Sequence, residues 1–145
     1  MIKLTTNKFL YKGIVNNQDS FGDRLTLCLI HFAFILREFK DPKNEKQLQD
    51  LYDFTFRQLE LSIREVGYGD QSINKKMKDY INLFYSMLDK IHEWDQQNIE
   101  KKKSILLIFL DNSVEVNYMV NYFDKYKQDL ANNTLNFYLK GVVKL

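Results

Sequence analysis

Leu61-Ser62-Ile63-Arg64-Glu65-Val66-Gly67-Tyr68-Gly69-Asp70-Gln71-Ser72-Ile73-Asn74-Lys75-Lys76-Met77-Lys78 is the stretch that decides the fold. Before it, Leu48, Tyr52, Thr55/Phe56, Leu59, Ile63 and Val66 recur at the three-and-four spacing that keeps one helix face buried. After it, Ile73, Met77, Tyr80/Ile81, Phe84, Leu88 and Ile91 repeat the pattern. Between the two lies Gly67-Tyr68-Gly69-Asp70. Gly67 stands where a helix ends in a left-handed residue that a side chain disfavours. Asp70 stands where the next helix wants a capping oxygen, and a negative charge at its positive end. The stretch therefore predicts a helix–turn–helix corner, with positive φ at Gly67 and a capping bond from Asp70 or Ser72. It brings Arg64, Glu65, Gly67, Gly69, Asp70, Lys75, Lys76 and Lys78 into one short neighbourhood, the candidate partner-binding site.

Outward from the corner, the helices are expected over roughly 45–66 and 71–95, with Leu51, Phe54 and Leu61 giving the first a second packing face. From Leu25 to Leu36 almost every residue is apolar, interrupted by Thr26 and His31 and closed by Arg37-Glu38. A membrane span needs about 20 such residues. This shorter run predicts a central helix buried on all sides, which demands a bundle around it. Asp41-Pro42 ends it, because proline disfavours helical geometry in the residue before it. Residues 7–16 predict a short first helix and residues 99–110 another. Asn112 and Glu115 read as a capping box opening a helix through Leu130, and Asn132-Asn133-Thr134 opens a last one to Leu139. The chain reads as all-α, a single-domain bundle of about six helices spanning 1–145.

Composition fits that class. With 45% hydrophobic and 14% aromatic residues, 5 glycines and 1 proline, the chain can fill a core and has few turn residues. A net charge of +2 does not by itself make a nucleic-acid binder. One cysteine excludes an internal disulfide and a cysteine-rich zinc site. Met1-Ile2-Lys3-Leu4-Thr5-Thr6 lacks the charged-then-apolar layout of a signal peptide. The single cysteine and this opening fit a reducing compartment.

Candidate chemistry is sparse. Cys28 and His31 lie one helical turn apart, so a thiol–imidazole dyad is conceivable; a buried thiol beside a hydrogen-bonded core histidine is the reading preferred. His92-Glu93-Trp94-Asp95-Gln96 starts like a zinc-protease helix, but Gln96 replaces the second histidine. Gly67-Tyr68-Gly69 follows a helix, not a strand, and so is no phosphate loop. No catalytic residue, metal or cofactor is expected. Lys75, Lys76, Lys78 and Lys101–Lys103 form the basic groups. On acidic lipid they would contribute about 1 kcal/mol each near the surface.

A longer pattern overlies these readings. Phe56, then Leu61 through Asp70, then Lys75-Lys76-Met77-Lys78 and Phe84-Tyr85 closely resemble the signature of the ubiquinol–cytochrome c chaperone family. Phe21-Gly22-Asp23-Arg24-Leu25, Leu29-Ile30-His31-Phe32 and Leu36-Arg37 are similar to the family's upstream helix. Tyr122-Phe123 and Leu139-Lys140-Gly141-Val142-Val143 are similar to its closing segment. The chain departs from the pattern at Tyr68, where valine is usual, at Ser86-Met87 in place of Gly-Arg, and in a shortened loop before Phe21.

The resemblance implies a non-enzymatic chaperone that assists assembly of the ubiquinol–cytochrome c reductase (bc1) complex. Its client would be newly made cytochrome b, or another reductase subunit. It also implies a small partner protein, proximity to the ribosome, and peripheral membrane contact without specific nucleic-acid recognition, and so a place in the cytoplasm, peripheral to a bacterial inner membrane, with the matrix face of the mitochondrial inner membrane as the alternative. Such a task suits an apolar groove rimmed by charge. The alternative is a peripheral lipid-binding module using the lysines and Trp94, or an RNA-binding one with Tyr80 as a stacking partner.

Overall fold

The structure, a computed structural model, describes residues 21–110 and 115–135. The expected helix over 7–16, Asn112, and the last helix beyond Leu135 lie outside them. Among the described residues there are five α-helices and no strand: α1 (Phe21–Glu38), α2 (Glu45–Glu65), α3 (Asp70–Ile91), α4 (Ile99–Phe109) and α5 (Val116–Ala131). Single 3-10 turns, Pro42–Asn44 and Trp94–Gln96, sit before α2 and before α4. The fold is all-α.

α1 is the axis of the bundle. Leu27 and every residue from Leu29 to Ile35 are buried, including His31. One side packs on α3, where Phe32 stacks on Phe84 at 5.0 Å between ring centres. The other packs on α5, where Phe34 stacks on Phe123 at 5.0 Å. Offset aromatic pairs of this kind add about 0.5–1.5 kcal/mol beyond their burial. α2 lies against α3, and α4 against α5. The buried residues form one core cluster.

α1 stops where the sequence requires. Asp41 is extended at φ −150°, as the residue before proline prefers, and its Oδ1 accepts the Lys43 N–H at 3.0 Å. Asn44 Nδ2 donates to the carbonyl of Phe39 at 3.0 Å, using one of the acceptors left over at the end of α1.

Three expectations are corrected. α3 ends at Ile91 instead of running to 95, because the following 3-10 turn swings Trp94 into the core, where it is 1% exposed. Its Nε1–H donates to Asp124 Oδ1 at 2.8 Å, and its ring meets Phe34 edge-on at 5.3 Å. The second packing face of α2 does not form. Leu51 joins the buried stripe, but Phe54 and Leu61 are 38% and 47% exposed, and Val66, assigned to the stripe, is 53% exposed. Glu115 is no partner in a capping box either. It precedes the first residue of α5 and makes no side-chain cap bond, whereas a capping box needs it one turn inside the helix.

Candidate functional site: the corner and a groove at the far end of its helices

The corner between α2 and α3 is built as expected at one glycine and differently at the aspartate. Gly67 has φ +98°, the conformation that favours glycine, and its N–H closes the last turn of α2 on the carbonyl of Arg64 at 3.0 Å. Gly69 has ordinary φ −71° and ψ 162°, and a Cβ there would meet nothing within 4 Å. It is Gly69, not Asp70 or Ser72, that occupies the N-cap of α3, and no side chain caps that helix. Asp70 is the first helical residue. Its carboxylate lies near the positive helix end and takes Arg64 Nη1 at 3.2 Å. Arg64 Nη2 also holds Glu60 at 3.1 Å. The guanidinium thus clamps the two arms of the corner, with its pKa raised first by Glu60 and then by Asp70.

The other candidate residues divide. Glu65, Lys75 and Lys78 are exposed, and none of the three has an ion pair among the described residues. At ~100° per residue, Lys75 and Lys78 share one flank of α3, while Lys76 turns to the other. There its Nζ sits 4.4 Å from the centre of the Tyr68 ring, a cation–π contact. The three lysines therefore form a pair and a separate tethered residue, not one patch. The basic run after residue 100 divides as well: Lys101 is exposed, and Lys102 turns furthest inward. Lys102 pairs with Asp124 at 2.9 Å, and Lys103 with Glu100 at 3.3 Å. Trp94, proposed as a lipid anchor, is core.

Neither candidate for nucleophilic or metal chemistry survives. His31 uses both ring nitrogens without Cys28. Nδ1–H donates to the carbonyl of Leu27 at 2.6 Å, which fixes the tautomer, so Nε2 accepts the Tyr122 O–H at 2.7 Å. Packed against Tyr122, Phe123 and Tyr126, the ring is held neutral, burial pushing its pKa down to about 4. Burial pushes the half-buried Cys28 thiol up to about 11, the opposite of what an attacking thiolate needs. His92 and Glu93 fall in the break after α3, and no metal-binding cluster of His, Cys, Asp or Glu occurs among the described residues.

The apolar groove that single residues could not place lies beside α1, at the far end of the α2–α3 hairpin from the corner. A groove of about 640 Å³ opens between the end of α1, the Pro42–Asn44 turn, α2 and α3. Leu36, Leu48, Tyr52, Phe84 and Leu88 floor it. Lys40, Asp41 and Glu45 carry its charge, and Tyr85, 56% exposed, stands in its wall. The Tyr52 phenol is pushed up to about 12, first by burial and then by its hydrogen bond with Tyr85. Arg37 Nε donates to the carbonyl of Leu88 at 2.9 Å, tying α1 to α3 along one side. Asp41-Pro42 had been legible only as a helix stop. The available signal was charge placed directly between two apolar runs, Leu36 on one side and Leu48 on the other.

The profile described as Ubiquinol-cytochrome C chaperone matches residues 14–102. The chain belongs to this family. Corner and groove both lie inside the match, whereas α5 and the similarity noted at Tyr122-Phe123 and Leu139–Val143 lie outside it. No curated protein and no solved structure matches the chain. Among the described residues of this family member, no helix is long and apolar enough to cross a membrane.

Proposed function

We propose that the protein is a non-enzymatic assembly chaperone of the ubiquinol–cytochrome c reductase complex and that it holds newly made cytochrome b at a membrane surface. Membership of the ubiquinol–cytochrome c chaperone family carries the reading. The physical support is an apolar groove with a charged lip, in a chain whose half-buried thiol and buried imidazole are both held neutral. Cytochrome b presents apolar segments that must not aggregate before its haems and neighbouring subunits arrive. A groove that takes one such segment, with charges to set its orientation, suits that task. A small partner protein and the ribosome belong to the same reading. The lipid alternative loses its anchor, because Trp94 is buried and Lys102 is drawn inward onto Asp124, although Lys75, Lys78 and Lys101 stay exposed.

The test is genetic and spectroscopic. Deleting the gene lowers the haem b signal of the reductase and the amount of mature complex, and leaves unrelated respiratory oxidases intact. Returning the gene with Lys75→Glu and Lys78→Glu restores less reductase than the wild type, although the purified variant melts normally, since exposed lysines add little to folding. Unchanged reductase in the deletion strain refutes the assembly role. Full rescue by the charge-reversed gene removes the corner as a docking surface and leaves the groove.

A further inference from the structure

We propose that the groove recognises the basic-flanked end of an apolar helix, a segment in which apolar side chains are followed directly by lysine or arginine. This rests on the chaperone reading above and names the part of the client that the site takes. The floor is apolar and large enough for side chains of one or two helical turns. The ionisable groups lining it are two carboxylates, Asp41 and Glu45, against one ammonium, Lys40. α1 ends at Glu38 and α2 begins at Glu45 beside the groove, so the two helix dipoles offset there and the side-chain charges set the sign. The Asp41 carboxylate is fixed by the Lys43 N–H at 3.0 Å, and Glu45 opens α2 without an ion pair among the described residues. The rings of Tyr52, Phe84 and Tyr85 share the cavity, and aromatic faces attract cations.

Charge therefore selects the occupant. A wholly apolar segment would cover the two carboxylates and give them no counter-charge, which is costly. An anionic lipid head would meet the two carboxylates. A helix end with lysine or arginine beside it satisfies floor and lip together. Membrane helices carry such residues at one end, since the loops on the inner side are enriched in lysine and arginine.

The experiment uses the full chain and short labelled peptides that share one Leu/Ala-rich helix and end in Lys-Arg-Lys, Gln-Gln-Gln or Glu-Glu-Glu. Fluorescence anisotropy is expected to rank them basic, neutral, acidic, with about tenfold between the first and last at low salt. That gap should close at high salt. Glu45→Lys reverses the ranking, and Tyr85→Ala weakens all three peptides. Both positions are exposed, and melting curves identify any loss of fold. Equal binding of the three peptides, or a ranking unmoved by Glu45→Lys, overturns the proposal. So does a self-associating groove, seen as a sedimentation mass that falls in Tyr85→Ala. Phosphatidylglycerol vesicles that displace the basic peptide by occupying the groove, and lose binding in Tyr85→Ala, overturn it as well. The deletion strain separates the two levels. Lowered reductase with no peptide preference sinks this inference alone, and peptide preference with normal reductase sinks the assembly role alone.

Discussion

Replacing His31 by glutamine turns the centre of the bundle into a measurement. The imidazole is fully buried, bonded through Nδ1–H to Leu27 and through Nε2 to Tyr122, and its folded pKa lies near 4 against an ordinary 6.5. A base with a depressed folded pKa takes up its proton mainly in the unfolded chain. Stability from the neutral ring is thus fully present above pH 6.5, falls as pH drops towards 4, and changes no further below that. At 1.36 kcal/mol per unit the full effect is about 3 kcal/mol, most of which has gone by pH 4.5. Glutamine keeps a donor for Leu27 and an acceptor for Tyr122 but does not titrate in this range. Urea unfolding of both proteins at pH 7.5, 6.0, 5.0 and 4.5 gives two stability curves, and their difference cancels the carboxylates common to both. The wild type is expected to lose about 2–3 kcal/mol relative to His31→Gln across the series. Parallel curves would refute the buried neutral imidazole. Should His31→Gln not fold, Tyr122→Phe carries the test, since it strips the Nε2 partner and is expected to cost about 1–3 kcal/mol at neutral pH.

Gly67→Ala should destabilise by about 1 kcal/mol because it forces a side chain to φ +98°, whereas Gly69→Ala, at ordinary dihedrals and in open space, should stay within about 0.5 kcal/mol. Thermal melts of the two side by side decide it, and equal losses would contradict the corner geometry. Asp124→Asn leaves the Trp94 N–H an acceptor but strips Lys102 of its counter-charge. Chemical denaturation is expected to show a loss of about 1–3 kcal/mol, smaller if Lys102 swings out to water. Cys28 in the native protein should react with iodoacetamide at pH 8 far more slowly than in the urea-unfolded chain, because burial raises its thiol to about 11. Equal rates would show the thiol to be open.

What the sequence disclosed and what it withheld follow from the range of the interactions involved. The α1 run, the proline stop and Gly67 are local, since each is fixed by a residue's own torsions or by apolar content over a few turns. The end of α3 is not. Nothing in His92-Glu93-Trp94 announces a break, which depends on Asp124 thirty residues on. Phe54 and Leu61 look like a second buried face because periodicity counts apolar residues without knowing whether a helix lies opposite. Asp70 has the chemistry of a cap, but Arg64 six residues before it claims the carboxylate. The groove was the hardest to read, being made by segments from α1 to α3 that meet only when the bundle closes.

The separation of 91 residues between His31 and Tyr122 has a consequence during synthesis. α3 can cover one side of α1 early, but the side bearing His31 and Phe34 waits for α5. At 5–20 residues per second that wait is about 5–20 s. Throughout it the nascent chain displays a sticky apolar ridge, the kind of surface that provokes aggregation. A member of a chaperone family thus passes through a stage in which it needs shelter itself. Its yield in a cell should depend on what meets α1 before residue 130 has left the ribosome.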